Sequence, residues 1–224
     1  YAERLKDEGK DPAVATGFFP LTMLSLPQLT REASLAEKSG GGKVRCLACA
    51  HRCLTAPGGY GRCGARFNEG GSLKSPWGYV SGAASDPIEK KPFFHVLPGA
   101  RTLSFGMFGC NFHCGFCQNW QITDVKAAGL LKPLETSPGE LVSRALADGA
   151  KVLVSTYNEP LITAEWAAAV FSAAKDKKLR TAFVSNGYTT PEAAVFLKPV
   201  LDFWKVDLKC FNDGNYRRVC GAEL

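Results

Sequence analysis

From residue 101 onward the chain alternates short apolar runs with stretches whose apolar residues recur every three or four positions. "TLSFGMF" (102–108), "KVLVST" (151–156), "RTAFVS" (180–185) and "DFWKVDL" (202–208) read as strands. "SPGELVSRALADG" (137–149), "LITAEWAAAVFSAAKDKK" (161–178) and "TTPEAAVFLKP" (189–199) read as helices between them. The helix starts are punctuated. Ser137 caps, Pro138 takes the first position and Glu140 completes a capping box; Thr190 and Pro191 repeat the first two devices. Gly149 ends the first helix, and a further helix is expected near Asp213. This order predicts an α/β fold with a parallel sheet covered by helices, either doubly wound or a barrel. Both architectures seat ligands at the carboxyl ends of the strands. "TYNEP", "SNGY" and "DLK" fall at three of those ends, and a cysteine-rich stretch falls at the fourth.

Upstream the pattern is weaker. "REASLAEKS" (31–39) reads as a short helix and "GGG" (40–42) as a joint. Residues 46–100 are dense in Cys, Gly and Pro, which reads as a small metal-stapled lobe and a long connection. The expected organisation is a lead segment (1–45), a Cys-rich metal-binding lobe with its connection (46–100) and an α/β core (101–224).

Composition narrows the class. With 224 residues, 46% hydrophobic and 21% charged, the chain suits a soluble globular protein. It has no run of 18 apolar residues and no signal-peptide pattern, so no membrane association and a cytoplasmic location are expected. The net charge of +6 is dispersed. Its densest basic run, "KDKKLR" (175–180), sits at a helix end where it suits the helix dipole, which argues against nucleic acid as a partner. The start at Tyr1 and the stop at Leu224 read as a fragment of a longer protein.

Cysteine changes the picture most. Seven of the nine fall in two tight groups, and without a secretory signal such groups read as metal ligands. Cys110, Cys114 and Cys117 have the spacing C-x3-C-x2-C. Three thiolates complete a tetrahedral zinc only if His113 joins them. Alternatively they hold three irons of a four-iron cluster and leave the fourth open, the reading the spacing favours over zinc; buried reduced thiols come last. Cys46, Cys49, Cys53 and Cys63 have the spacing C-x2-C-x3-C-x9-C, sufficient for a closed zinc or iron–sulfur site, with "PGGYG" (57–61) bending the chain back. Cys210 and Cys220 fit no pattern and read as small buried hydrophobes. Asn158–Glu159 and Ser185–Asn186 suit either ligand contacts or ordinary strand-to-helix turns. Lys205, Asp207 and Lys209 alternate on one strand, so they share a face, either inward at the site or at a solvated strand end.

"CNFHCGFC", with Phe116 before its last cysteine, resembles the signature of the radical S-adenosylmethionine (SAM) superfamily. "DPIEKKPFFHVLPG", "GCNFHCGFCQNW", "TYNEP", "SNGYTTPE" and "VDLKCF" narrow the resemblance to the radical SAM enzyme of the AmmeMemoRadiSam system, close to pyruvate formate-lyase activating enzymes. The resemblance runs from about Arg31 to Leu224. It implies a partial (βα)6 TIM-like barrel, here apparently truncated after its fourth strand. It implies a [4Fe-4S] cluster on Cys110, Cys114 and Cys117, with SAM on the open iron, and reductive cleavage of SAM to methionine and a 5′-deoxyadenosyl radical. SAM contacts fall by resemblance on Phe116, Asn158, Glu159, Ser185, Asn186, Asp207 and Lys209. Other implied partners are an electron donor such as flavodoxin or ferredoxin and an unidentified substrate, protein or small molecule. Glycyl-radical activating enzymes bind a monovalent cation where this chain has Val184, Lys205 and Asp207, and the Lys205 ammonium is expected to replace it. The rival reading is a non-catalytic zinc-binding interaction module with nucleic acid as its ligand. No role for "PIEKKPFFH" (87–95) follows from the sequence; His95 reads as a loop cap.

Overall fold

The computed structural model describes residues 26–125 and 131–224; most of the lead segment, 1–25, lies outside the described residues. The N-terminal part is built from short antiparallel strands: β1 (Thr30–Glu32), β2 (Ala36–Ser39), β3 (Lys43–Cys46), β4 (Leu54–Thr55), β5 (Phe67–Glu69), β6 (Ser72–Pro76) and β7 (Tyr79–Val80). They pair as β1–β6–β5 and β2–β3–β4. The helix expected over 31–39 is therefore β1, a turn and β2. A nine-residue segment has little helical stability of its own. Here tertiary partners take its backbone: Ala33 N–H donates to Leu73 C=O and Leu35 N–H to the Glu165 carboxylate.

The core is a five-stranded mixed sheet ordered β13–β12–β11–β9–β8. Its strands are β8 (Gly82–Pro87), β9 (Arg101–Gly106), β11 (Val152–Ser155), β12 (Arg180–Ser185) and β13 (Phe203–Val206); the two-residue β10 (Leu134–Glu135) pairs with β7 instead. The four predicted strands are the parallel ones. The fifth, β8, runs antiparallel along β9 and comes from the expected connection. Three helices cover one face: α1 (Pro138–Ala147), α2 (Ala164–Asp176) and α3 (Pro191–Leu197). The Ser137 capping box and the Thr190 cap both form. Near Asp213 there is one short α-helical turn (Asp213–Asn215) followed by a π-helical turn (Tyr216–Cys220).

Strand alternation divides the packing. Leu153 of β11 joins the large apolar core, which includes α1 and α2 side chains. Val152 and Val154 point the other way, where Ile88 and Phe93 cover them. Phe93 also meets Phe203 of β13, with ring centroids 6.4 Å apart. The segment that follows β8, the unexplained "PIEKKPFFH", thus lines the inner face of the sheet. No helix among the described residues is long and apolar enough to cross a membrane.

Candidate active site

The loops after β9, β11, β12 and β13 and the segment after β8 enclose one cavity of about 520 Å3. Cys110, Cys114 and Cys117 line it, and so do Phe116, Asn158, Glu159, Ser185, Asn186, Asp207 and Lys209. Ten residues named from four separate strand ends therefore share one wall-to-wall site. A space of this size suits a cofactor or small ligand. His113 is exposed and is not among its lining residues, so the side chain needed for a three-Cys, one-His zinc site is turned elsewhere.

The cysteine loop is pinned from below. Asn158 accepts a bond from Met107 N–H (3.1 Å) and donates to Gly109 C=O (3.0 Å), so its side chain ties the loop at both points. Gly109 has a φ of +93°, and a Cβ there would stand 2.8 Å from the Cys63 carbonyl and 2.9 Å from Ala65. Only glycine lets the loop lie this close to the N-terminal lobe. Cys117 N–H donates to Cys114 C=O (3.1 Å), and the Cys117 thiol meets the Thr123 hydroxyl at 3.3 Å. Burial, then the neighbouring Cys220 thiol, pushes Cys114 up to about 12, and burial raises Cys110 as well. These are neutral thiols until a metal takes their protons. Among the described residues, no three His, Cys, Asp or Glu side chains already stand in metal-ligating geometry. Such sites are seldom preformed without their metal.

Glu159 is buried at 2% exposure beneath the site. It accepts from Ser185 Oγ (2.7 Å), Asn186 N–H (2.7 Å) and Leu161 N–H (3.0 Å), leaving about one of its four lone-pair positions for a ligand donor. Burial pushes its carboxyl up to about 7 against the pull of those three donors. A folded pKa above the unfolded value means the folded protein holds the extra proton. The resulting stability is full below about pH 4.5 and is lost as pH rises to about 7. In urea melts of the ligand-free protein from pH 5 to 8, Glu159→Gln is expected to flatten that decline; unchanged slopes would assign it to other groups.

Asn186 joins the β12 loop to the cysteine loop by donating to Asn111 Oδ1 at 2.7 Å. Asp207 takes both Lys205 and Lys209 as partners, the latter at 2.7 Å, so the three charges do share a face. Lys205 lies in register with Val184, and its ammonium pairs with Asp207.

The second thiol group is mostly buried: Cys46, Cys49 and Cys63 are within the core and Cys53 is half-buried. The four are close enough to disfavour one another's ionisation, in the pairs Cys46–Cys53, Cys46–Cys49 and Cys49–Cys63. Burial first, and these neighbours after it, pushes Cys49 up to about 12. Asn111 lies between the two groups, touching Cys49 on one side and Cys110 on the other.

Five contributors escaped the sequence reading: Asn111, Asn119, Tyr157, Lys91 and Cys220. Tyr157 and Lys91 sit inside quoted motifs, but their significance depends on folding 66 residues apart onto each other. Cys220 meets Cys114 because His113 and Gly115 N–H groups bond the carbonyls of Cys220 and Val219.

The site is a polar cavity at the carboxyl ends of parallel strands, with three thiols on its rim, in an α/β protein. A family model described as the Radical SAM superfamily matches residues 105–223, just over half of the chain, and the chain belongs to that superfamily. Membership implies an enzyme with a [4Fe-4S] cluster and SAM as co-substrate. The chain is 35% identical over 195 residues to the uncharacterized protein MJ0808 of Methanocaldococcus jannaschii, covering 87% of this chain and 57% of that protein. It is 27% identical over 188 residues to a second uncharacterized protein of the same organism, MJ0674, covering 80% and 48%. The chain thus spans about half the length of these relatives. Among solved structures it resembles TYW1 with a lysine-pyruvate adduct bound, at a TM-score of 0.41 and 17% identity over 60% of this chain and 50% of that one.

Proposed function

We propose that Cys110, Cys114 and Cys117 hold a [4Fe-4S] cluster and that the adjoining cavity binds SAM for reductive cleavage, as in the AmmeMemoRadiSam and glycyl-radical activating enzymes the motifs resemble. The observation that carries this reading is the shared cavity of about 520 Å3. The donor set fits: three thiols from one loop leave an iron without a protein ligand, and the facing groups complement an amino acid. Bound there, the cluster and SAM supply one electron and the carbon–sulfur bond whose cleavage yields methionine and a 5′-deoxyadenosyl radical. The protein's part is to orient and to exclude water. Glu159 offers a buried acceptor to the SAM ammonium, and Lys209, shared with Lys205 on Asp207, offers a cation to its carboxylate. Phe116 lies at the cavity rim for the adenine or the cluster edge. Electrons come from a donor such as flavodoxin or ferredoxin; the substrate is a protein or a small molecule that gives up a hydrogen atom.

The test is anaerobic reconstitution with iron and sulfide. A brown protein with a reducible EPR signal that changes on adding SAM is expected. A colourless protein that retains two zinc ions would establish the zinc module instead.

Cys46, Cys49, Cys53 and Cys63 form, on the same proposal, a second metal site of zinc or iron–sulfur type. If it holds iron, its position across Asn111 suits electron delivery to the first cluster. Cys46→Ser is expected to remove the metal of this site and lower the melting temperature, while the SAM-responsive EPR signal can still be assembled. Metal analysis with unchanged stoichiometry would count against the site.

A further inference from the structure

Among the described residues four lysines line the cavity, and they come in two separate pairs. Lys205 and Lys209 share Asp207 at the end of β13. Lys90 and Lys91 share Asp86, at 3.0 and 3.2 Å, in the segment that covers the inner face from β8. One carboxylate for two ammoniums leaves a positive surplus at each place. Lys90 keeps its ammonium largely in solvent, so Lys91, which shares Asp86 with it, is the buried cation of that pair. SAM has one carboxylate, already matched to the β13 pair, so it does not serve both.

The second pair is built with care. Lys91 is only 6% exposed. It donates to Tyr157 Oη at 3.0 Å and lies 4.7 Å from the centre of that ring. Tyr157 holds a φ of +73°, a region that costs a non-glycine residue roughly 1–3 kcal/mol and usually marks a functional position. Its carbonyl is fixed by Asn119 Nδ2 at 2.9 Å. Opposite it, Gly106 has no side chain, and a Cβ there would stand 3.1 Å from Tyr157 and 2.9 Å from the Thr156 carbonyl. The Tyr157 hydroxyl accepts from Lys91, and its own proton meets no acceptor among the described residues. Donors therefore outnumber acceptors at this end of the cavity. Both side chains face the same space as the three-cysteine loop.

We infer that Lys91 and Tyr157 form a subsite for an oxyanion group, carboxylate or phosphate, on a small-molecule substrate that binds beside SAM. The inference rests on the proposed SAM site and assigns its second ligand a chemical class. Lys91 supplies the charge and Tyr157 the hydrogen bond, with Lys90 at the rim. This gives the "EKKP" stretch its purpose: it places an ammonium in the cavity that the three-cysteine loop also lines.

The test uses the full chain with its cluster assembled and SAM at saturation. Inorganic phosphate and malonate are titrated separately by calorimetry, and cluster EPR is recorded on the same samples. Saturable binding of at least one anion is expected; the tighter of the two tells phosphate from carboxylate. Lys91→Met is expected to weaken it roughly ten- to hundredfold and Tyr157→Phe about three- to tenfold. Lys38→Met, an exposed lysine on β2, serves as the charge control and should bind as the parent does. Tyr157→Phe deletes one oxygen, so it decides the matter if Lys91→Met does not fold. Equal anion affinity in both variants overturns the subsite, as does absence of saturable binding in a sample whose EPR signal responds to SAM. A signal indifferent to SAM would instead sink the reading of the whole site, and this subsite with it.

Discussion

Cys117→Ala should give a folded protein that no longer holds the four-iron cluster and whose SAM cleavage falls to background. The fold should survive because Cys117 is half-buried and its thiol meets only the Thr123 hydroxyl, outside the apolar core. The cluster should not, because two remaining thiolates cannot hold a cube that already lacks a fourth ligand. Loss of a partner merely behind a ligand costs 10- to 100-fold, so loss of the ligand itself should exceed about a hundredfold in methionine and 5′-deoxyadenosine produced. Iron content, visible absorbance and product analysis measure it. Cys210→Ala, outside both groups, is the matched control and should keep cluster and cleavage. A Cys117→Ala protein with full iron content and undiminished cleavage would mean the ligands lie elsewhere.

The largest effect on stability is expected from Glu165→Leu. Glu165 projects from α2 and is 6% exposed, while its partner Arg66, from the N-terminal part, is 1% exposed. The Arg66 guanidinium grips both carboxylate oxygens and also donates to the Ile162 carbonyl at 2.7 Å. Leu35 N–H (3.1 Å) and Ser75 Oγ (3.0 Å) complete the set. Burial alone would raise the Glu165 pKa, but the guanidinium overrides it and holds the carboxyl below its usual range. Removing the carboxylate strands a buried cation and two further donors, a loss of about 3–5 kcal/mol. The double variant Arg66→Met/Glu165→Leu should recover much of it, because apolar packing replaces a charge that no longer needs a partner. Urea denaturation of the three proteins decides it; equal stabilities for the single and double variants would show that charge burial is not the cause.

The parallel strands and their helices were legible because local signals agree there. Ser137 and Thr190 cap where they should, and the apolar runs are bounded by turn residues. The cysteine loop and the motifs at the ends of β11, β12 and β13 were legible because strand order alone brings them to one edge of the sheet. What escaped is non-local. Residues 31–39 carry helix-forming residues, yet Leu73 and Glu165 decide their backbone. Strand β8 has the sequence "GAASDP", which lacks bulky residues, and it is a strand only because β9 offers a ladder. Lys91 and Tyr157 were visible as letters, but a positive φ and a shared hydrogen bond leave no mark in a periodicity. Cys220 looked like a spare thiol because its neighbour Cys114 lies across a loop contact rather than a motif.

The bond from Leu35 to Glu165 spans 130 positions, and the one from Arg66 spans 99. On the ribosome, the N-terminal strands therefore emerge long before the helix that completes them. Until α2 is made, Arg66 has no counter-charge and the four thiols between Cys46 and Cys63 lack the cover they have in the finished protein. Such distant contacts make for slow folding. The interval before closure is thus when these thiols are most open to oxidation.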